Sequence, residues 1–92
     1  MIRKFRHKGL EKFFTSGSLA GIRPEHAKRL RILLAQLNMS RSVSDLTLPG
    51  LRPHPLHGDL EGFWSVDISG NWRVVFRFED DNVTDVDYTD YH

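Results

Sequence analysis

Apolar and polar residues alternate along residues 63–78, FWSVDISGNWRVVFRF, and the apolar ones are types that favour β-strands. A period of two in such residues predicts two half-buried strands. Residues 69–71 (SGN) between them predict a tight hairpin turn, because Gly and Asn tolerate positive φ. One face of the hairpin would bury its aromatic and aliphatic side chains, and the other would lift Arg73 and Arg77 into solvent.

Two segments in the first half of the chain have the period of amphipathic helices. Residues 8–16 predict a short helix that ends at Gly17, with apolar side chains at i, i+3 and i+4 provided by Leu10, Phe13 and Phe14. Pro24 fits the first position of a second helix. An apolar stripe continues this helix to about Asn38 and consists of Ala27, Leu30, Leu34 and Leu37.

Further extended segments lie before and after these helices. Residues 2–6 alternate apolar and basic side chains and predict an opening strand. Residues 51–56 predict another strand, but Pro53 and Pro55 restrict it to a sheet edge or make it irregular.

The chain closes with a polar turn over residues 79–82 and a last strand over residues 83–88. Alternation would turn one set of its side chains in the same direction, namely Thr84, Val86 and Tyr88. The order of strand, two helices and a run of strands predicts an α+β fold in a single domain, residues 1–92. Its helices would pack on one face of an antiparallel sheet.

Charge is unevenly distributed along the chain. Residues 1–57 contain eleven Lys or Arg and three acidic residues, whereas residues 58–92 contain two Arg and nine acidic residues. This split indicates a basic surface for a polyanion, or two halves that neutralise each other in the fold. The absence of Cys, of a leader and of a membrane-length apolar run leads us to expect a soluble cytosolic protein with no disulfide.

Histidines are the first candidates for chemistry. His54 and His57 stand three residues apart in an extended stretch that contains Pro55, so their rings would diverge. This spacing argues against a metal site, and no metal or other cofactor is predicted.

The C-terminal residues Asp90, Tyr91 and His92 are the second candidates. Held near the sheet, they would approach Arg73 and His54 and combine proton-transferring groups with a cation and an aromatic face. Such a set suits metal-free cleavage of RNA by its own 2′-hydroxyl. The alternative is a solvated tail, with the hairpin arginines in cross-strand ion pairs to Asp67 or Asp85, an explanation that fits Arg77 better than Arg73.

The sequence resembles HigB-type toxins of the RelE/ParE superfamily over almost its whole length. The resemblance rests on IRKFRHKGL at residues 2–10, HPLHGD at 54–59, EGFWS at 61–65, NWR at 71–73 and DYH at 90–92. It implies a RelE-like domain with a curved antiparallel sheet. It also implies a metal-independent endoribonuclease that cleaves mRNA in the A site of the 30S ribosomal subunit and is bound by a helix-turn-helix antitoxin of HigA type.

The resemblance also implies residue roles. Arg73 would bind the phosphate and the transition state, with His54 and His92 as acid–base or positioning residues. Asp90 and Tyr91 would stabilise the terminus and contact or stack on the codon, and Arg77 would also bind substrate. Basic residues of the helices would meet ribosomal RNA.

His57 departs from the lysine that these toxins often have in the HPLKGD segment, so catalysis would be weaker, more pH-sensitive or differently divided among the histidines. We therefore also consider a non-catalytic relative that binds the antitoxin and acts as a co-repressor. A gyrase-poisoning relative with the same fold is a further alternative, although it would not need His54, Arg73 and His92.

Overall fold

The computed structural model of the chain describes residues 1–90. Within this range two α-helices pack against a four-stranded antiparallel sheet, and the predicted α+β class is confirmed. The helices are α1 (Lys8–Ser16) and α2 (Ala27–Met39). The strands are hydrogen-bonded in chain order and comprise β1 (His54–Pro55), β2 (Phe63–Ser69), β3 (Trp72–Glu79) and β4 (Asn82–Asp90). Short 3-10 helices occupy Pro24–His26, Val43–Asp45 and Gly58–Leu60.

The first helix has the bounds that its apolar spacing predicts. At its start, Nδ1 of His7 accepts a hydrogen bond from the backbone N–H of Leu10 at 3.0 Å, which satisfies one free donor of the first turn. At its end, Gly17 adopts a φ of 78° and donates its N–H to the carbonyl of Phe13. Leu10 and Phe13 are buried, so the predicted apolar face is the one that meets the core.

The second helix is reached through a 3-10 turn that Pro24 opens, and α-helical bonding begins at Ala27. The leucines of the predicted stripe are buried, and Ala27 is half-buried. Leu33, outside that stripe, is buried too, which gives the i, i+3, i+4, i+7 pattern of a helix lying on a sheet.

The central hairpin forms as predicted, with Gly70 at a φ of 56° in its turn. Its core-facing side chains join the helix leucines in one hydrophobic cluster and include Val66, Val74 and Phe76. Ser65 is buried as well, although the alternation predicts that it faces solvent. Ser65 lies between His54 on β1 and Val75 on β3, so side chains on both neighbouring strands cover it.

The last strand contains a β-bulge that breaks its predicted alternation. The register shifts between Val75 and Arg77 of β3, so β4 carries one extra residue there, and Asp85 takes a left-handed φ of 54°. The prediction that Thr84 faces the same way as Val86 and Tyr88 is wrong, because the extra residue reverses the phase of the strand. The hydrophobic cluster instead receives Val83, Val86 and Tyr88.

The predicted opening strand is an extended segment beside β4 rather than a continuous strand. Ile2 forms an isolated parallel bridge with Val83, and Phe5 forms another with Val86. The two bridges lie on either side of the bulge at Asp85, which interrupts the pairing between them.

The predicted strand over residues 51–56 is reduced to the two residues of β1. It lies at the edge of the sheet, as predicted from its prolines. Pro55 lacks an N–H, so β1 offers its neighbour few hydrogen bonds.

Within residues 1–90, no helix is long and apolar enough to cross a membrane. Helix α2 has 13 residues, whereas a membrane-spanning helix needs about 20 apolar ones. Its sequence also includes Lys28, Arg29 and Arg31.

Candidate active site

One row of polar side chains crosses the sheet on the face away from the helices. Asp67 on β2 is the register partner of Arg73 on β3, so both side chains leave the sheet on the same face. His54 on β1 pairs with Ser65, two residues before Asp67, and therefore shares this face. These residues, His54, Asp67 and Arg73, are called the polar row.

His54 and Asp67 are the two exposed side chains of the polar row. Its Nε2 lies 3.9 Å from Oδ2 of Asp67, and the two side chains are 55% and 71% exposed. A ligand from solvent can therefore reach both groups. Imidazole is a common general acid or base in catalysis.

Arg73 is half-buried on a central strand, between Asp67 on β2 and Thr89 on β4. Its neighbour Val74 is fully buried in the core, which fixes the backbone that carries Arg73. Arg73 leaves the sheet on the face away from the core, as predicted, but it is half-buried rather than lifted into solvent. A guanidinium held on a stiff strand suits the recognition of phosphate oxygens.

Arg77 lies at the other end of the same face, where two carboxylates bind it. Its Nε donates to Oδ2 of Asp85 at 2.7 Å, and its Nη2 donates to Oε2 of Glu79 at 3.0 Å. The hydrogen bond from Arg77 is the main cause that holds the pKa of Asp85 below its usual range, against the opposing effect of burial. The cross-strand ion pair considered for Arg77 is thus confirmed with Asp85.

His57 lies in the loop that precedes the 3-10 helix Gly58–Leu60, away from the polar row. Its Nδ1 lies 3.4 Å from Oε2 of Glu61, and both side chains are exposed. His54 and His57 therefore have different carboxylate neighbours, as expected if their rings diverge.

Asp90, the last described residue, pairs with Trp72 rather than with Arg73. The alternation of β4 places it on the helix-facing side, in the wall of a cavity of about 320 Å³. The cavity is also lined by Arg23, Glu25, His26, Ser69, Gly70, Asn71 and Trp72. Asp90 is thus adjacent to Arg73 in register but lies on the other face of the sheet. The predicted residues Tyr91 and His92 lie outside the described range.

An aromatic cluster adjoins this cavity and was not predicted. His26 is 3% exposed, and its Nδ1 lies 2.6 Å from the hydroxyl of Tyr88. The rings of Trp72 and Tyr88 are 4.7 Å apart, and that of His7 is 5.3 Å from Tyr88. Burial raises the pKa of Tyr88. The sequence carries no signal for this cluster, since its four members come from four separate segments.

Asp67 is the other residue of the site that sequence reasoning missed as a neighbour of His54. The sequence pattern alone predicts it only as an ion-pair partner for the hairpin arginines. The signal was present in the alternation, which assigns Asp67 to the same face as Arg73. What the sequence could not give was the register of β1, which brings His54 to Asp67.

Among residues 1–90, no three His, Asp or Glu side chains are arranged to hold a metal ion. The polar row itself combines one imidazole and one carboxylate with a guanidinium, which is not a metal ligand. Its residues can exchange protons and bind an anion.

Comparison with known families assigns this α+β domain to a class of small toxins of type II toxin–antitoxin systems. Residues 3–92 match the family model described as "RelE-like toxin of type II toxin-antitoxin system HigB". The chain belongs to this HigB-like toxin family. Membership implies an antitoxin partner.

Similarity to individual proteins agrees with this assignment. The chain is 34% identical to Endoribonuclease HigB of Proteus vulgaris over 92 residues, which is the full length of both proteins. It is 48% identical over 33 residues to Toxin YoeB of Mycobacterium bovis and to Toxin RelK of Mycobacterium tuberculosis. Each of these two matches covers 36% of this chain and 39% of the relative.

Proposed function

We propose that this toxin is an endoribonuclease that cleaves mRNA in the A site of the 30S ribosomal subunit and so inhibits translation. The observation that carries the proposal is the full-length similarity to a relative named as an endoribonuclease. The exposed His54 and the strand-held Arg73 support it, because they supply a proton-transferring group and a phosphate ligand on one accessible face.

The chemistry is transesterification within the RNA. The 2′-oxygen attacks the adjacent phosphorus, the bond to the 5′-oxygen breaks, and a 2′,3′-cyclic phosphate remains. One group takes the proton of the 2′-hydroxyl and another gives a proton to the 5′-oxygen; we assign these roles to His54 and His92. Arg73 stabilises the negative charge that develops on the phosphate oxygens. No step requires a metal ion.

The other predicted site residues have supporting roles. Tyr91 stacks on a codon base and Asp90 stabilises the terminus. His57 provides a second group able to carry positive charge or a proton. Arg77 binds a neighbouring phosphate of the RNA. That phosphate has to compete with Asp85 and Glu79 for the Arg77 guanidinium.

The ribosome and the antitoxin are the proposed partners. The first 57 residues contain most of the basic side chains, which suits electrostatic binding to ribosomal RNA with strong salt dependence. A helix-turn-helix antitoxin of HigA type binds the toxin, and both act in the cytoplasm.

The proposal is tested by mapping breaks in an mRNA on purified ribosomes by primer extension. The reactions compare the wild-type protein with Arg73→Ala, and naked mRNA serves as the substrate control. Breaks at A-site codons that need both ribosomes and Arg73 support the proposal. Intact mRNA with a protein that still binds its antitoxin contradicts it and favours a non-catalytic relative. Cleavage of naked mRNA refutes the ribosome-dependent part.

A further inference from the structure

Arg29 of helix α2 binds two backbone carbonyls, one in the loop before β1 and one on β2. Its Nε and Nη2 both donate to the carbonyl of Asp67, at 3.0 and 2.8 Å. Its Nη2 also donates to the carbonyl of Gly50 at 2.8 Å. One side chain thus joins the helix to β2 and to the loop that leads into β1.

The segment that carries His54 has little support of its own. Strand β1 has only two residues at the sheet edge, and Pro53 and Pro55 flank His54 without N–H groups to donate. Before His54, the chain is held by the buried side chain of Leu51 and by the hydrogen bond from Arg29 to the Gly50 carbonyl. Gly50 has a φ of 87°, a conformation that favours glycine and sets the direction of this carbonyl.

The other carbonyl bound by Arg29 belongs to the residue whose carboxylate approaches His54. The register of β2 and β3 shifts between Asp67 and Ser69, so the regular ladder is interrupted there. Two donors from Arg29 fix the Asp67 backbone at this irregular point. The Asp67 carboxylate lies 3.9 Å from His54, and Asp67 is the register partner of Arg73.

We propose that Arg29 is a positioning residue that fixes His54 relative to Arg73 by binding the backbone at Gly50 and Asp67. This inference rests on the proposed function, because it gives His54 and Arg73 a joint task in cleavage. Arg29 does not itself contact RNA in this role. A guanidinium is required because its planar fork reaches both carbonyls at once, whereas the single ammonium of lysine lacks that geometry.

The test compares Arg29→Ala and Arg29→Lys with the wild-type protein in single-turnover cleavage of ribosome-bound mRNA. Arg31→Ala is the matched control, since it removes the same charge from an exposed position of the same helix. Guanidinium chloride, at concentrations well below those that unfold the protein, is added to every variant. The Cε1–H signal of His54 is followed by NMR in the free protein and assigned with His54→Gln.

We expect Arg29→Ala to lower the maximal rate about 10- to 100-fold with little change in half-saturating concentration, the size of effect that small displacements of a catalytic group produce. Guanidinium should restore part of that rate in Arg29→Ala and leave the wild type and Arg31→Ala unchanged. The His54 signal should move or broaden in Arg29→Ala and return with guanidinium. Arg29→Lys should remain slow although its charge is retained.

Three results would overturn the inference: a rate equal to that of Arg31→Ala, a slow variant that guanidinium does not restore, or a His54 signal that Arg29→Ala leaves in place. If Arg29→Ala does not fold, the inference is tested on Arg29→Lys, with the same cleavage rate and the same His54 NMR signal as readouts. If the wild-type protein does not cleave mRNA, the proposed function fails. The His54 signal then decides the positioning role separately, because it is measured without RNA.

Discussion

Arg77 donates a hydrogen bond from Nε to Oδ2 of Asp85 at 2.7 Å, and this contact ties β3 to the bulge of β4. Asp85 holds a left-handed backbone conformation that residues other than glycine seldom adopt. Arg6 adds a second cation 3.8 Å from Asp85, and the Phe63 ring lies beside both arginines. The strained position is therefore stabilised by charge, and Arg77 can bind RNA only in competition with this ion pair.

Asp85 should make the stability of the protein sensitive to acid. Its pKa is lowered in the folded state, so the carboxylate stabilises the fold above its unfolded pKa and loses this effect as pH falls through the folded value. We expect Asp85→Asn to be less stable than the wild type near neutral pH and the difference to shrink below about pH 4.

Urea unfolding over a pH series measures this difference. The exposed Asp59→Asn is the control and should follow the wild type at every pH. A stability difference between Asp85→Asn and wild type that stays constant down to the acid limit would refute the ion-pair explanation.

The buried hydroxyl of Tyr88 should contribute to stability through His26. Tyr88→Phe removes the partner of the His26 ring nitrogen and leaves a buried polar atom unsatisfied. We expect a loss of about 1–3 kcal/mol in the free energy of unfolding. In a His26→Phe background, Tyr88→Phe should lower the free energy of unfolding much less, because the His26 ring nitrogen is already absent. Denaturant unfolding measures both losses. If Tyr88→Phe lowers the free energy of unfolding equally in both backgrounds, the two residues are not coupled.

His57 should make cleavage more sensitive to pH than a lysine would. Imidazole loses its positive charge around neutral pH, whereas lysine keeps its charge throughout this range. We expect the cleavage rate of the wild type to fall above neutrality more steeply than that of His57→Lys. Single-turnover rates across a pH series give the comparison. Parallel profiles for the two proteins would mean that His57 has no charge-dependent role.

Chelation should leave the cleavage step unaffected. The proposed reaction uses protons and the charge of Arg73, so removing divalent ions should change the rate only when the ribosome itself dissociates. Single-turnover rates are measured as EDTA is titrated in, while sedimentation reports ribosome integrity. Loss of cleavage on ribosomes that remain intact would contradict a metal-independent mechanism.

The sequence predicted most of the fold because local patterns determine most of it. The apolar spacing and Gly17 define α1, and the alternation around residues 69–71 defines the hairpin. The bulge at Asp85 was missed because it depends on contacts with Arg77 and with the N-terminal segment, which a period-two pattern does not contain. An extra residue of this kind is not visible in alternation alone.

The site was predictable only in part. The side of the sheet that carries Arg73 followed from alternation, and the importance of His54 followed from the resemblance. The contact of His54 with Asp67 required the register of a two-residue strand, and the bonds from Arg29 required the packing of α2 against it. Both depend on tertiary structure, to which local sequence contributes little.

The most direct test of the account is the single-turnover rate of mRNA cleavage on ribosomes for His54→Ala and Arg73→Ala. Arg41→Ala, which removes an exposed arginine outside the sheet, is the control for lost charge. We expect His54→Ala and Arg73→Ala each to lower the rate by about 100-fold or more, because one removes an acid–base group and the other a ligand of the developing charge. Arg41→Ala should cleave nearly as fast as the wild type. Wild-type rates in both His54→Ala and Arg73→Ala would contradict the assignment of the polar row as the catalytic site.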